Sequence, residues 1–196
     1  MKRLLACALL LFGVWFCARP QPAARWAGRP ATVVTQNADR LPAPWAAHGC
    51  MFTPLARFEA QAVVLSRERY YFDRGAKLSP IDLALGWGPM AEAATINALR
   101  ISQDHRWYQY RWSGEPPIAP ETIIRSSANM NLIPANDQVR VELLAVRRHE
   151  LVEIAGYLVE VRSADGSHWR SSTSREDSGG GSCEVVWVER VASRRL

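Results

Sequence analysis

Strand-like segments that recur along the chain constrain its fold more than any other feature of the sequence. The clearest is the segment Leu151–Val161, in which apolar residues mostly alternate with other residues, as on a strand with one buried face. Asp165-Gly166 follows it as a strong hairpin-turn signal before Trp169. Strand character recurs over residues 58–72, 99–112 and 183–191. We therefore expect roughly six short strands.

Three segments between these strands carry helix signals. Ser79-Pro80-Ile81-Asp82 combines a capping serine, a proline suited to the first helical position and an early acidic residue, and Gly86 would end that helix. Residues 89–99 support a second helix, and Asn136 can cap a third that reaches about Arg148. The sequence thus predicts an α+β, β-rich fold: a small, mainly antiparallel sheet or half-open barrel with about three short helices.

The first eighteen residues have the pattern of an export signal. Met1-Lys2-Arg3 precedes an uncharged apolar run from Leu4 to Ala18. The run is shorter than the about 20 residues of a spanning helix, and the bulky Phe16 makes a poor cleavage site after Ala18. Cleavage, retention as a signal anchor and lipidation of a cysteine all stay open. We expect an exported protein, periplasmic or anchored in the inner membrane and facing the periplasm, with residues 1–18 contacting the membrane.

Composition divides the rest of the chain. Residues 19–47 contain five prolines among alanines and arginines and predict a linker. Residues 48–193 have an ordinary size for a single globular domain that can bury its own core. Residues 194–196 form a basic tail.

The positive charge of the chain belongs to its ends. The whole chain has a net charge of +5, but residues 41–193 contain 16 basic against 18 acidic residues, a net charge of −2. A nucleic-acid-binding domain concentrates positive charge on its folded surface. The distribution therefore argues against a nucleic-acid partner.

Two of the four cysteines lie outside the apolar N-terminal run, near the two ends of the expected domain. In an oxidising compartment Cys50 and Cys183 are a candidate disulfide. The alternative is two separate thiols. No cysteine or histidine has a second ligand at zinc-like spacing, so we predict no metal.

Three fragments are similar to the motifs of trypsin-like serine proteases. Ala46-Ala47-His48-Gly49-Cys50 resembles the histidine motif, Ile81-Asp82-Leu83-Ala84-Leu85 the aspartate motif, and Asp177-Ser178-Gly179-Gly180 the serine motif. This resemblance implies a hydrolase with His48 as base, Asp82 orienting it and Ser178 as nucleophile. Departures oppose it: Glu176 replaces the family's glycine, Gly49 is inserted before the cysteine, and only 18 residues follow Ser178.

No other catalytic signature is present, and no phosphate-binding loop or dinucleotide fingerprint predicts a cofactor. Loop aromatic and polar residues give candidate binding residues instead. Trp87 stands between glycines, and Arg125, Asn129 and Asn131 lie in a polar cluster between apolar segments. Core packing for Trp87 and a hydrogen-bonded turn for the cluster are the structural alternatives.

The segments Tyr70–Asp73, Leu78–Gly88, Ser127–Asn129 and Ile133–Ala135 together resemble a group of short exported bacterial proteins with no assigned function. The resemblance implies export and no catalytic residues. The sequence therefore favours a non-catalytic binding or envelope-associated accessory protein, with an envelope protein or a glycan as partner. A serine hydrolase built on His48, Asp82 and Ser178 is the alternative.

Overall fold

The structure is a computed structural model that describes residues 21–72, 75–174, 176 and 182–196. The expected signal segment, residues 1–18, lies outside the described residues. None of the helices in the described part of the chain is long and apolar enough to cross a membrane.

Ten strands make up most of the regular structure in the described part of the chain. They are β1 (Val33–Asn37), β2 (Trp45–Ala47), β3 (Cys50–Arg69), β4 (Ile81–Gly86), β5 (Arg100–Asp104), β6 (Trp107–Arg111), β7 (Ser127–Pro134), β8 (Glu150–Ser163), β9 (His168–Arg170) and β10 (Glu184–Arg195). The helices are a 3₁₀ helix (Gly88–Ala91), α1 (Ala93–Ala98), α2 (Pro120–Arg125) and α3 (Asp137–Ala145). The α+β, β-rich class with three short α-helices is therefore confirmed.

The long strand β3 organises the main sheet, whose order is β1-β3-β4-β7-β10-β8-β9. Residues 50–63 of β3 pair with β8, and residues 63–69 pair with β4. The pairings thus lead from β3 through β4, β7, β10 and β8 back to β3, and only the β7–β10 pair is parallel. The sheet is strongly curved, but it is not a closed barrel, and β1 and β9 are its edge strands.

Strand β4 replaces the helix predicted from Ser79 to Gly86, so that prediction is wrong. Ile81, Leu83 and Leu85 alternate along β4 and point into the main core, whereas Ala84 packs into a second cluster on the opposite face. β4 lies between β3 and β7 and all its residues are buried. A strand with two buried faces lacks the polar alternation that identifies strands in a sequence.

A segment inserted between β4 and β7 covers the outer face of the sheet. It contains the 3₁₀ helix, α1, the β5–β6 hairpin and α2. Met90, Ile96, Ile101 and Ile123 of this segment pack with Leu65 of β3 in the second cluster. The predicted strand pair over residues 99–112 is confirmed as the β5–β6 hairpin.

The expected linker, residues 19–47, packs on the domain wherever it is described. The amide of Ala24, a buried residue, donates to Asn97 Oδ1 at 2.8 Å, and Trp26 Nε1 donates to the Ala91 carbonyl at 3.1 Å. Strand β1 pairs with β3, and β2 forms a hairpin with the start of β3.

Candidate functional site

A buried polar cluster lies on the outer face of β4 and β7. Its centre is Asp82, which is fully buried. Asp82 Oδ2 accepts hydrogen bonds from Asn131 Nδ2 at 2.6 Å and from Asn129 Nδ2 at 3.3 Å. Gln103 Nε2 donates to Asn129 Oδ1 at 2.7 Å. Burial raises the pKa of Asp82, although the hydrogen bond from Asn131 and the charge of Arg106 oppose the rise.

Arg106 provides the opposite charge. Its Nη1 lies 3.2 Å from Asp82 Oδ1, and its Nη2 donates to the Ser79 carbonyl at 3.1 Å. The guanidinium carbon lies 4.0 Å from the centre of the Tyr70 ring and 5.2 Å from that of the Trp169 ring. Arg106 is thus held by a carboxylate and by two aromatic faces, which fixes its position.

The β5–β6 turn explains how Arg106 reaches this position. The two-residue turn His105-Arg106 has φ values of 50° and 65°, as the common tight hairpin turns require at both central residues. Non-glycine residues rarely adopt this region. The turn is held by a hydrogen bond of 3.0 Å from the Arg106 amide to the Tyr70 hydroxyl.

An open cleft of about 770 Å³ begins where Arg106 and Trp169 meet the surface. Three loops and hairpins enclose it: the β2–β3 turn, the loop before β4 and the β8–β9 hairpin. Its lining includes His48, Cys50, Lys77, Arg106, His168 and Trp169. Hydrogen-bonding groups also come from Ser163, Asp165 and Ser167. The cleft therefore combines an indole ring with both donors and acceptors.

The structure does not pair His48 with Asp82. His48 and Gly49 form the two-residue β2–β3 turn, with φ values of 50° and 72°. His48 Nε2 lies 2.9 Å from the Pro134 carbonyl oxygen, and its ring packs on Trp187. Asp82 is bound instead by Arg106 and the two asparagines. The third member, Ser178, lies outside the described residues. The His–Asp pair that the hydrolase requires is thus absent.

Of the four predicted binding residues, the structure brings two together. Asn129 and Asn131 are both in the Asp82 cluster, as strand residues rather than in the turn considered from the sequence. Trp87 packs against the main core at the other end of β4. Arg125 ends α2 and forms an exposed ion pair of 3.2 Å with Glu176.

The predicted disulfide is not formed. Cys50 and Cys183 form no disulfide with each other and have separate partners. Cys50 Sγ lies 3.3 Å from Ser163 Oγ, in the cleft wall. Cys183 Sγ lies 3.6 Å from the Arg106 carbonyl oxygen, beside the buried cluster. Their positions near the two ends of the domain sequence suggested a bridge, but sequence position gives no information on the distance between them.

Sequence reasoning missed Arg106 and the role of Trp169. Strand character over residues 99–112 indicated the region of the β5–β6 turn, and Asp165-Gly166 marked the turn before Trp169. Nothing in the sequence shows that these two turns meet over β4. Among the described residues no group of three or more His, Cys, Asp or Glu side chains could hold a metal ion.

Comparison of the chain with protein-family models, with curated proteins and with solved structures finds no match.

Proposed function

We propose that this protein is an exported, non-catalytic binding protein that holds a short glycan segment in the cleft beside Arg106. The N-terminal apolar segment brings it to the membrane, as a cleaved signal or as an anchor. The observation that carries the proposal is Trp169: its indole forms part of the cleft wall, with the Arg106 guanidinium 5.2 Å from the ring centre.

The chemistry of the cleft suits a sugar. A sugar ring has apolar C–H faces, which pack on an aromatic ring, and a rim of hydroxyl groups, which need both donors and acceptors. Trp169 supplies the aromatic surface. Ser163, Ser167 and Asp165 supply hydrogen-bonding groups around it. A volume of about 770 Å³ lies within the range of small-molecule sites.

The location of the cleft supports a binding role. It adjoins the outer face of β4 and β7 and is bordered by the loops after β3 and β8. Some partly open five-stranded barrels bind oligosaccharides on the face of two neighbouring strands and on adjoining loops. That support rests on analogy of fold alone.

Binding is favoured over hydrolysis because His48 and Asp82, the proposed base and its orienting acid, do not pair with each other. Asp82 has no access to solvent and already neutralises Arg106. His48 is hydrogen-bonded to a main-chain carbonyl. His48 and Asp82 thus stabilise the fold of the cleft walls.

Titration of the full chain with soluble oligosaccharides of N-acetylglucosamine, followed by calorimetry, tests the proposal. We expect saturable binding, and about a thirtyfold weaker affinity for Trp169→Ala, as for a central aromatic contact. Trp107→Ala is the matched control, since Trp107 is 43% exposed and lies outside the cleft lining. Absence of binding, or equal losses in the two variants, would contradict the proposal.

Cell fractionation tests the export part separately. We expect the protein in the periplasmic fraction if the N-terminal segment is cleaved, and in the membrane fraction if it is retained. Recovery in the cytosolic fraction alone would refute export.

A further inference from the structure

Five basic side chains form one surface at the end of β3 and the end of α3. We define this basic face as Arg67, Arg69, Lys77, Arg140 and Arg147. Arg67 and Arg69 both donate to the carbonyl of Leu144, Arg67 at 3.4 Å. Arg140 Nη1 lies 3.5 Å from the carbonyl oxygen of Lys77.

The positive charge of the basic face is not neutralised locally. Within the described part of the chain none of the five side chains forms an ion pair. Burial and the nearby charges of Arg69 and Arg147 lower the pKa of Arg67, and Tyr71 and Glu150 oppose that effect. Glu150 accepts hydrogen bonds from the Arg147 amide and from Ser193. Two carboxylates, Glu150 and Glu68, interact electrostatically with Arg67, against five cations on this face. Residues 41–193 as a whole have a net charge of −2.

Two exposed aromatic residues project beside the basic face. The exposed fraction is 68% for Tyr71 and 100% for Phe72, and their ring centres lie 6.1 Å apart. Tyr71 is close enough to Arg67 to raise the pKa of that guanidinium. Aromatic side chains adjoining lysine and arginine are typical of surfaces that lie in the interface of a bilayer.

The N-terminal segment enters the domain at the same end. Gln21 Oε1 accepts a hydrogen bond of 2.8 Å from Arg148, the neighbour of Arg147 in sequence. The apolar run ends at Ala18, three residues before Gln21. Three residues span at most about 10 Å. If that run is held in a membrane, as the proposed function allows, the domain surface nearest to the bilayer contains the basic face.

We propose that the basic face, with Tyr71 and Phe72, rests on an anionic bilayer surface. The cations contact lipid phosphate groups and the two rings enter the headgroup region. This inference rests on the membrane-retained form of the proposed function. It assigns the domain one orientation, with its glycan cleft beside the membrane rather than at an arbitrary angle.

The expected strength of membrane association follows from the number of positive charges on the basic face. Each basic residue near an anionic leaflet favours contact by roughly fivefold at moderate salt, so three of them shift the equilibrium toward the bound orientation about a hundredfold. The effect declines as the ionic strength rises, because salt screens exposed charges.

The test uses the full chain reconstituted in two kinds of vesicle, phosphatidylcholine alone and phosphatidylcholine mixed with phosphatidylglycerol. Arginines are modified with phenylglyoxal and identified by mass spectrometry. We expect modification of Arg69 and Arg147 to be at least about fivefold slower in the anionic vesicles. Arg162, near the far end of β8, is 68% exposed and should react equally in both.

A charge-matched pair of variants sharpens the result. Arg69→Gln with Arg140→Gln and Arg147→Gln should abolish the protection of Arg67. The control, Arg125→Gln with Arg162→Gln and Arg170→Gln, should retain it. Thermal melting of both variants verifies that they are folded, and both should keep the affinity for oligosaccharide.

The outcomes separate the two proposals. Protection that appears with anionic lipid and is reversed by salt supports the inference. Equal modification in both vesicles overturns it and leaves glycan binding intact. Protection by an oligonucleotide or by polyglutamate, but not by phosphatidylglycerol, also overturns it and identifies an acidic macromolecule as the partner. Failure to associate with either vesicle overturns it together with the anchored form of the proposed function.

Discussion

The contact between Asp82 and Arg106 shows how one pair of side chains positions the β5–β6 turn against the loop before β4. Transferring two charges from water to a protein interior is costly, and their attraction repays the cost only with good geometry and further hydrogen bonds. Both conditions hold here, since Asn129 and Asn131 satisfy the carboxylate and the Ser79 carbonyl accepts from the guanidinium. The pair specifies where the β5–β6 turn lies on the sheet.

Removing only one charge of the Asp82–Arg106 pair should therefore destabilise the fold strongly. Arg106→Met leaves Asp82 buried without its counter-charge, and we expect the free energy of unfolding to fall by about 3–5 kcal/mol. Urea denaturation measures it. Adding Asp82→Asn to this variant should recover part of the loss, because it removes the uncompensated carboxylate. Arg100→Met, an exposed position on the same hairpin, is the control and should change little. A small effect of Arg106→Met would show that the pair is not structural.

Among individual residues, the sequence identified some members of the buried polar cluster around Asp82, but it did not identify their roles. Asn129 and Asn131 were identified because they are polar residues between apolar segments. Asp82 was misinterpreted because Ser79-Pro80 before it imitates a helix start. Only the three-dimensional structure shows that a carboxylate, two amides and a guanidinium from three elements share one buried site.

Among the elements, the antiparallel pairing of β8 and β10 depends on a glycine. The register between them shifts between Val188 and Arg190, opposite Gly156. A Cβ atom on Gly156 would lie 1.9 Å from the carbonyl oxygen of Trp187. The backbones approach so closely that no side chain fits, which is a recognised use of glycine at a bulge.

Gly156→Ala should thus destabilise the fold strongly. We expect a loss of about 3 kcal/mol or more, at the upper end of the range for overpacking, because the clash is with main-chain atoms. Thermal or urea unfolding measures it. Gly28→Ala is the comparison: its φ is 72° but nothing lies within 4 Å of the added atom, so it reports backbone strain alone, about 1–2 kcal/mol. Equal losses in the two variants would refute a steric cause.

Elements with a clear local signal were predictable. Strand β8, the β5–β6 hairpin and α3 all follow from periodicity, turn residues or the Asn136 cap, whose side chain accepts from the Val139 amide at 3.0 Å. Elements defined by distant partners were not. Strand β4 is a strand because β3 and β7 flank it, and β1 is one because β3 provides an edge.

For the molecule as a whole, the absence of a disulfide between Cys50 and Cys183 determines how stability responds to reductant. A bridge between Cys50 and Cys183 would close a loop of about 130 residues and add several kcal/mol in the chain-entropy model. The structure instead places the two thiols with different partners. The packed sheet therefore stabilises the domain without a crosslink.

We expect the urea midpoint to be the same with and without dithiothreitol, and Cys50→Ser to change the free energy of unfolding by less than about 1 kcal/mol, since Cys50 is only partly buried. The same measurement on Cys183→Ser provides the comparison. A midpoint that falls on reduction, with both variants equally weak, would show that the bridge forms after all.

The central position of β10 in the sheet has a consequence for the export that we propose. Residues 184–195 lie between β7 and β8, and the partner strand β3 begins at residue 50. The sheet cannot be completed until β10 has been synthesised and released, because long-range pairings form only after the chain between them is available. A chain that is still being synthesised or threaded through a translocation channel would therefore lack its central strand. If the chain is exported, as we propose, late completion of the sheet would favour an unfolded chain while it passes through a narrow channel.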